Sequence, residues 1–425
     1  MENNQNYIRP IYNYFIESSD YNGIPIEELF SQWEVDWANG IKKLIELIVN
    51  GDCIIQSSTL PYIIRETIPT VEFSVNYLTK IMNGKDDIFS QFRECIYPSH
   101  SYLLKHRDVS NIPPYEKYLA LGGAHLQPLF FDLNVINTYL DDPRYKLKLR
   151  DYYGTLSYEL INSTKIDKAG YYELNSFGLG YDENGIRVIV AFPRYLRHLS
   201  HSQQNVWEAH EITKTCKVIK SYWDNIMHGC WNVPQSLATG ILNEREYVNK
   251  LWKVIFNDNL FLNDYAIEDL PPYFSFLFIP TSRALGKFTH LMDKLFSDQL
   301  NTKHLRKLLN DGNEEFPSVT EHFEQNIGSL TALELWIDNI YHLKNGEKIG
   351  KEIVAPFKVI RKLRQPEAHK IEVSDIYNVD IYTKHTDILR DIYDALLKFR
   401  VMLGSHPKAI NVKPPKYWSK EVHCI

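Results

Sequence analysis

The sequence predicts a mainly α-helical protein with a small inserted β-sheet, an α+β fold, and two kinds of periodicity support this class. Apolar residues recur at three- and four-residue steps over most of the chain, which is typical of amphipathic helices. Near the middle, two short runs of strand-forming residues flank an Asn-Gly pair, which predicts a hairpin. The 425 residues, 44% of them hydrophobic, suffice for two or three domains with a sizeable core.

Residues 1–120 are predicted to form an N-terminal helical region. The apolar pattern predicts one helix over about 25–49, which ends at Gly51, and a second over 71–82. The Pro113-Pro114 pair and the glycine pair that follows it mark a break, so we place the boundary there.

Residues 121–310 are predicted to form a mixed α/β region. The runs 171–177 and 185–192 resemble strands, and the turn signal Asn184-Gly185 lies between them. The sequence therefore predicts a β-hairpin near 171–192, and the chain that follows it predicts helices over 202–210 and 244–256.

From Ser282 onward the pattern is helical except in connecting segments. It predicts helices over 283–300, 302–309, 319–343, 356–364 and 385–403. A polar loop over 310–317 separates the last three from the rest. We therefore expect a separate helical bundle over 318–410 and an irregular tail over 411–425.

Charge and cysteine content exclude several classes of protein. The net charge of −6 excludes a polycation, so any contact with nucleic acid must come from local patches. The five cysteines are scattered without a Cys-x-x-Cys pair, which argues against a disulfide framework or a thiolate zinc site. With no signal-peptide pattern and no long apolar run, we expect a soluble cytoplasmic protein without a membrane partner.

Several nucleotide-binding and catalytic motifs are absent from the sequence. It has no P-loop, no dinucleotide-binding glycine fingerprint and no Gly-x-Ser-x-Gly elbow. We predict no cofactor and no metal.

A basic segment near the C-terminus carries the most specific chemistry. Pro356 suits the first position of a helix, and Pro366 is predicted to end it. Arginine holds phosphate as a planar fork of donors, and histidine transfers protons near neutral pH. A break at Pro366 would bring together Arg364 and His369, which would lie on different faces of an uninterrupted helix.

The run from Arg364 to His369 (Arg-Gln-Pro-Glu-Ala-His), set in a C-terminal helical region, resembles the Arg-x4–6-His motif of the HEPN superfamily. The resemblance covers roughly residues 318–410. It implies a HEPN-like four-helix bundle in which Arg364 clamps a phosphate and His369 transfers a proton. A carboxylate on an earlier helix often supports the motif in that family, and Glu334 and Asp338 are the candidates here.

The resemblance implies a metal-independent endoribonuclease with an N-terminal sensor or RNA-binding region, of the kind found in phage defence, abortive infection or toxin systems. The implied partners are RNA, a second copy of the chain, and a regulatory protein or phage-derived trigger. One such histidine per chain cannot easily act as both acid and base, which also favours a homodimer. The predicted catalytic residues are Arg364, His369 and Glu334, and the predicted RNA-binding residues are Arg361, Lys362, Lys358 and Arg197.

The Arg-to-His spacing is not specific by itself, because four other stretches share it. These are Arg93/His100, Arg194/His201, Arg283/His290 and Arg400/His406. The structural alternative for Arg364 and His369 is a charge pair at a helix end. The functional alternatives are a non-catalytic HEPN-like dimerisation or nucleotide-binding module, and a scaffold protein whose activity lies in the middle region.

A second cluster of candidate residues surrounds Arg197. His198 and His201 could bind a metal together with His210 or Glu208, but their spacing matches no known site. The simpler interpretations are a basic surface that binds RNA or a nucleotide, or a basic loop that leads into a helix capped by Ser200 or Ser202.

Overall fold

The computed structural model describes residues 2–58, 60–82, 93–140, 142–150, 152–158, 173–230, 235–311, 327–341, 346–368, 377–413, 415 and 422–423. Helices dominate these residues, and small β-sheets are inserted among them, which confirms the predicted α+β class. Within the described ranges, no helix is both long and apolar enough to cross a membrane.

The chain divides into two compact units. The first comprises residues 1–146 and 155–229, and the second comprises 147–154 and 230–425. The predicted boundaries near residue 120 and over 310–317 each fall inside a unit. Residues before and after the second predicted boundary share one core, since a single apolar cluster in the second unit contains residues from Leu237 to Ala409.

The first unit contains ten helices within the described residues. They are α1 (Glu2–Glu17), α2 (Ile26–Trp33), α3 (Trp37–Val49), α4 (Val71–Met82), α5 (His100–His106), α6 (Pro114–Ala120), α7 (Asn134–Leu140), α8 (Pro193–Leu196), α9 (His201–Ala209) and α10 (Lys220–His228). The helix predicted over 71–82 is confirmed as α4.

The single helix predicted over 25–49 is wrong, because the chain forms α2 and α3 there. Glu34 takes the left-handed conformation (φ 55°), which ends α2. Asp36 then caps α3 by accepting a hydrogen bond from the Asn39 N–H at 3.0 Å. The apolar residues keep their periodicity across this break, so the pattern alone does not show it.

Two sheets lie in the first part of the chain. The three-stranded sheet has the order β1-β3-β2, and the larger sheet has the order β4-β8-β7-β6-β5 with β9 beside β7. The strands are β1 (Ile24–Pro25), β2 (Cys53–Ser58), β3 (Arg93–Pro98), β4 (Leu129–Phe131), β5 (Tyr145–Arg150), β6 (Tyr153–Tyr158), β7 (Glu173–Asp182), β8 (Arg187–Ala191) and β9 (Cys216–Val218).

The predicted hairpin is confirmed as β7 and β8. The two strands pair antiparallel, with Gly178 opposite Val190 and Tyr181 opposite Arg187. Gly185 has a φ of 76° at the turn, which is the conformation that an Asn-Gly pair favours. Residues 171 and 172, at the predicted start of the hairpin, lie outside the described residues.

The second unit is built on helices around one core. Among the described residues it contains α11 (Leu237–Phe256), α12 (Ser282–Asp293), α13 (Thr302–Asp311), α14 (Ser329–Ile340), α15 (Gly350–Ala368), α16 (Asp380–Gly404) and the short parallel strands β10 (Gln235–Ser236) and β11 (Val422–His423). Helix α11 packs along α16, and α15 packs against α12, α14 and α16.

The predicted helix bounds in this unit change at several points. The helix predicted from 244 begins at Leu237, where Ser236 caps it. The helix predicted over 283–300 ends at Asp293 and continues as a π-helical turn, Lys294–Asp298. Of the helix predicted over 319–343, the described part is α14.

The predicted helix over 356–364 is too short, and the break at Pro366 does not occur. Helix α15 begins at Gly350 and continues to Ala368, so Pro356 and Pro366 both lie inside it. A proline removes one helical hydrogen bond and disfavours the helical conformation of the residue before it, so packing must offset this cost. Burial of Ile353 and Val354, which precede Pro356, favours the earlier start of the helix.

We predict that Gly178→Ala destabilises the first unit. An added Cβ would lie 2.0 Å from the Tyr222 ring, which is fully buried and cannot move aside easily. The free energy of unfolding should fall by about 1–3 kcal/mol in chemical denaturation. Gly404→Ala is the matched control, because its Cβ meets nothing within 4 Å. Equal stability of the two variants would contradict the prediction.

Candidate phosphate-binding site in the second unit

Helices α14 and α15 approach each other closely at the start of α15. The N–H of Gly350 donates a hydrogen bond of 2.7 Å to Asp338 Oδ1. A Cβ on Gly350 would lie 2.5 Å from the carbonyl oxygen of Glu334, so this position requires glycine. Asp338, one of the two candidates for a supporting carboxylate, therefore caps α15.

The second candidate carboxylate, Glu334, forms an ion pair with Lys358. The pair joins the middle of α14 to the middle of α15. The predicted catalytic carboxylate and one predicted RNA-binding cation thus neutralise each other in this structure.

A cavity of about 280 Å³ lies between the start of α14 and the middle of α15. Arg361 and Lys362 are exposed at its edge, and within the described ranges neither has an ion-pair partner. Its lining residues are Gly328, Leu330, Thr331, Lys358, Arg361 and Lys362. Three of the four predicted RNA-binding residues therefore converge on one cavity.

The first turn of α14 adds hydrogen-bond donors to this cavity. Gly328 is the N-cap residue and has no side chain to satisfy the first N–H groups of the helix. The positive end of the helix dipole lies at the same place. Together with Arg361 and Lys362, this arrangement suits a phosphate group.

Arg364 lies on the side of α15 that packs against α12. Its Nη1 donates to Oδ2 of Asp293, whose side chain is fully buried. About a third of the Arg364 side chain (34%) remains exposed. The buried carboxylate fixes the guanidinium in place, and the role of Arg364 as a phosphate clamp stays a prediction.

His369 lies outside the described residues, directly after the end of α15. Because the helix continues past Pro366, the break that was expected to bring His369 to Arg364 is not present there. The proton-transfer role of His369 stays a prediction carried by the resemblance.

Arg197, the fourth predicted RNA-binding residue, belongs to the first unit and is largely buried. Its Nε donates to Oε2 of Glu116 at 2.9 Å, and its Nη1 lies 3.3 Å from Oδ1 of Asp20. The guanidinium also lies 5.0 Å from the centre of the Tyr21 ring. Two carboxylates therefore offset its charge, which favours a structural role over binding of RNA.

The neighbouring His125 ties two segments of the first unit together. Its Nδ1 accepts a hydrogen bond from the Ile64 N–H at 3.2 Å, and its Nε2 donates to the Asp20 carbonyl at 2.7 Å. Burial, above all, lowers the pKa of His125, and the Arg194 cation adds to this effect. The ring is held neutral, since a proton on Nδ1 would remove the acceptor for Ile64.

The alternative metal cluster is not formed by the described residues. No group of three or more His, Cys, Asp and Glu side chains in these ranges could hold a metal ion. His210 instead contacts Asp132 at 2.9 Å. Ser200 caps α9 in a capping box with Gln203, which confirms one of the two predicted caps.

The residue that sequence reasoning missed is Asp293. It precedes Arg364 by 71 positions, so no local pattern connects the two. The sequence does contain one indication of its role. Asp293 is a single acidic residue at the end of an apolar helix face, between Met292 and Leu295, which are both buried. The rival motif at Arg400 has an equally structural partner, because Arg400 pairs with the buried Glu244.

Comparisons with protein-family models, with curated proteins and with solved structures found no match to this chain.

We predict that Arg364→Ala destabilises the second unit far more than Arg361→Ala does. The first change leaves the buried Asp293 carboxylate without its cation, which should cost about 2–3 kcal/mol. The second removes an exposed cation and should change the free energy of unfolding by less than about 0.5 kcal/mol. Chemical denaturation of both variants measures the difference, and similar values would show that the Asp293 pair is not needed for stability.

We also predict that the first unit loses stability in mild acid through His125. A histidine whose pKa is lowered by folding binds fewer protons in the folded state than in the unfolded state. Its contribution is therefore complete above the unfolded pKa of about 6.5 and is lost as the pH falls through the lower folded pKa. Thermal unfolding of wild type and His125→Gln between pH 5 and 8 tests this, and a wild-type slope that His125→Gln leaves unchanged would contradict it.

Proposed function

We propose that the second unit binds RNA and that the chain is a metal-independent endoribonuclease. The observation that carries the proposal is the cavity between α14 and α15, where Arg361 and Lys362 face the first turn of α14, which begins at Gly328 without a side-chain cap from that residue. Fixed donors and exposed cations at one place are what phosphate recognition requires.

The arrangement suits a single strand of RNA better than a large nucleic-acid surface. The chain carries a net charge of −6, so binding relies on this local cationic patch. On α15, Arg361 lies one turn before Arg364, and residues three apart are neighbours on a helix surface. A strand held at the cavity therefore passes the exposed edge of Arg364.

In the proposed reaction, the 2′-hydroxyl attacks the adjacent phosphorus and the bond to the 5′-oxygen breaks. Arg364, which Asp293 holds in position, stabilises the charge that develops on the phosphoryl oxygens. His369 transfers a proton, as the resemblance to HEPN proteins implies. The products are a 2′,3′-cyclic phosphate and a free 5′-hydroxyl.

A second candidate is a non-catalytic module that binds a nucleotide or RNA without cleaving it. The ion pairs of the second unit favour this alternative, because Asp293 offsets the charge of Arg364 and Glu334 that of Lys358. In either case the first unit is proposed to act as a sensor in a phage-defence or toxin system. A second copy of the chain remains the proposed partner.

We expect the double variant Arg361→Glu/Lys362→Glu to bind single-stranded RNA at least tenfold more weakly at moderate salt. Loss of phosphate contacts should also lower the slope of log affinity against log salt, by about 0.7 for each phosphate contact that is removed. Fluorescence anisotropy with a labelled oligouridine of about 20 nucleotides measures both values. The control is Lys250→Glu/Lys253→Glu, which makes the same charge change on exposed residues of α11. An equal decrease in affinity for both variants would show that net charge alone sets the affinity.

The two candidate functions are separated by cleavage in the presence of EDTA. If the chain is a ribonuclease, the wild-type protein releases products with cyclic phosphate ends. If it is a binding module, the RNA stays intact. Binding that depends on Arg361 and Lys362 without cleavage would support the second candidate.

A further inference from the structure

The cavity between α14 and α15 is small. Its volume of about 280 Å³ lies just below the range of roughly 300–1,000 Å³ that is usual for pockets enclosing a drug-sized ligand. Besides the buried Leu330, the side chains that line it are polar or cationic. The cavity therefore fits a ligand about the size of one nucleotide, with its charged end among the cations.

An excess of positive charge remains at this cavity. Glu334 offsets the charge of Lys358, whereas Arg361 and Lys362 are exposed and have no ion-pair partner within the described ranges. A phosphodiester inside an RNA strand carries one negative charge. A phosphate monoester at the end of a strand carries about 1.5 to 2 negative charges at neutral pH. The two cations without an ion pair match the monoester better than the diester.

The donors around the cavity also suit a monoester. The guanidinium of Arg361 is a planar fork of N–H groups, and the ammonium of Lys358 has three N–H donors, one of which goes to Glu334. The hydroxyl of Thr331 belongs to the same lining. A monoester has three terminal oxygens that accept hydrogen bonds, whereas a phosphodiester has only two that are not bonded to sugar carbons. The larger set of donors is therefore better satisfied by a strand end.

The edge of the cavity is open at Gly328. This residue is exposed, and an added Cβ would meet nothing within 4 Å. Its backbone angles, φ −64° and ψ 154°, are allowed for any residue, so the conformation does not require glycine. A polar side chain at this helix start would fill the space and bond the first N–H groups of α14 itself. Glycine keeps this edge accessible to a ligand.

We propose that the cavity binds the phosphate monoester at the end of an RNA strand, so that the protein recognises a phosphorylated RNA end. The inference deepens the proposed function and rests on RNA binding by this cavity. It involves no covalent step, and Arg361, Lys362, Lys358 and Gly328 carry it. A free mononucleotide has the same monoester, so the experiment includes one.

The first test uses the wild-type full chain and oligouridines of equal length with an internal fluorescent label. They differ only at the 5′ end, which is a hydroxyl, a phosphate or a methyl phosphate. By fluorescence anisotropy at fixed ionic strength, the 5′-phosphate strand should bind about tenfold more tightly than the 5′-hydroxyl strand. The methyl phosphate is a diester with one charge and should show a smaller gain.

Further ligands identify the source of the monoester. A strand with a 3′-phosphate shows which end is recognised, and tighter binding of either phosphorylated strand supports the inference. Unlabelled uridine 5′-monophosphate should displace the phosphorylated strand only at higher concentration than the same strand without label does. Equal potency of the two competitors would assign the cavity to a free nucleotide and overturn recognition of a strand end.

Variants of the cavity test where the monoester binds. Arg361→Glu/Lys362→Glu should lose the preference for the phosphorylated strand. Gly328→Asp should lose it as well, because a carboxylate would occupy the open edge and repel the phosphate. Aspartate is at least as good an N-cap as glycine, so Gly328→Asp should keep the thermal stability of the wild type.

Each variant has a matched control outside the cavity. Lys250→Glu/Lys253→Glu makes the same charge change on exposed residues of α11. Gly404→Asp introduces the same side chain at the end of α16, where an added Cβ meets nothing within 4 Å. Both controls should keep the preference for the phosphorylated strand.

The outcomes separate the inference from the function on which it rests. Equal affinity of the wild type for the 5′-hydroxyl strand and both phosphorylated strands would overturn the inference and leave RNA binding intact. A preference that survives in a folded cavity variant would also overturn it, because the monoester would then bind elsewhere. If the double variant lacks a native thermal transition, Gly328→Asp decides this point. Absence of binding to every strand would overturn the proposed function and the inference together.

Discussion

The packing of α15 against α12, α14 and α16 is the constraint on which the candidate site depends. Burial of Phe357 and Ile360 in the core sets the rotation of the helix, and this rotation decides where each cation points. Arg364 is turned toward the buried Asp293, whereas Arg361 and Lys362 are left at the cavity beside α14. The same core therefore determines which charges are neutralised inside the protein and which can meet a ligand.

The ion pairs of this unit also affect how loss-of-function variants are understood. Removal of Arg364 leaves a buried carboxylate unpaired, so a lost activity would combine a folding defect with any effect on chemistry. Arg361 and Lys362 have no partner within the described ranges and are exposed, which makes them cleaner probes of binding.

Much of the fold could be predicted from local pattern, because local backbone preferences have local causes. The Asn184-Gly185 turn identified the β7–β8 hairpin, and the apolar periodicity identified most helices of the second unit. The errors arose where a local rule competed with packing. Pro366 was expected to end α15, yet the helix continues to Ala368, and Glu34 divides a region whose apolar pattern is continuous.

By itself, the sequence determined the mainly α-helical class with its small sheet, the hairpin, and the basic segment that carries Arg361, Lys362 and Arg364. Composition and residue spacing are enough for these, since each depends on residues close together in the chain. Only the tertiary structure decided that Arg364 faces Asp293 and that Lys358 faces Glu334. These neighbours come from different helices, and the burial of apolar side chains between the helices brings them together.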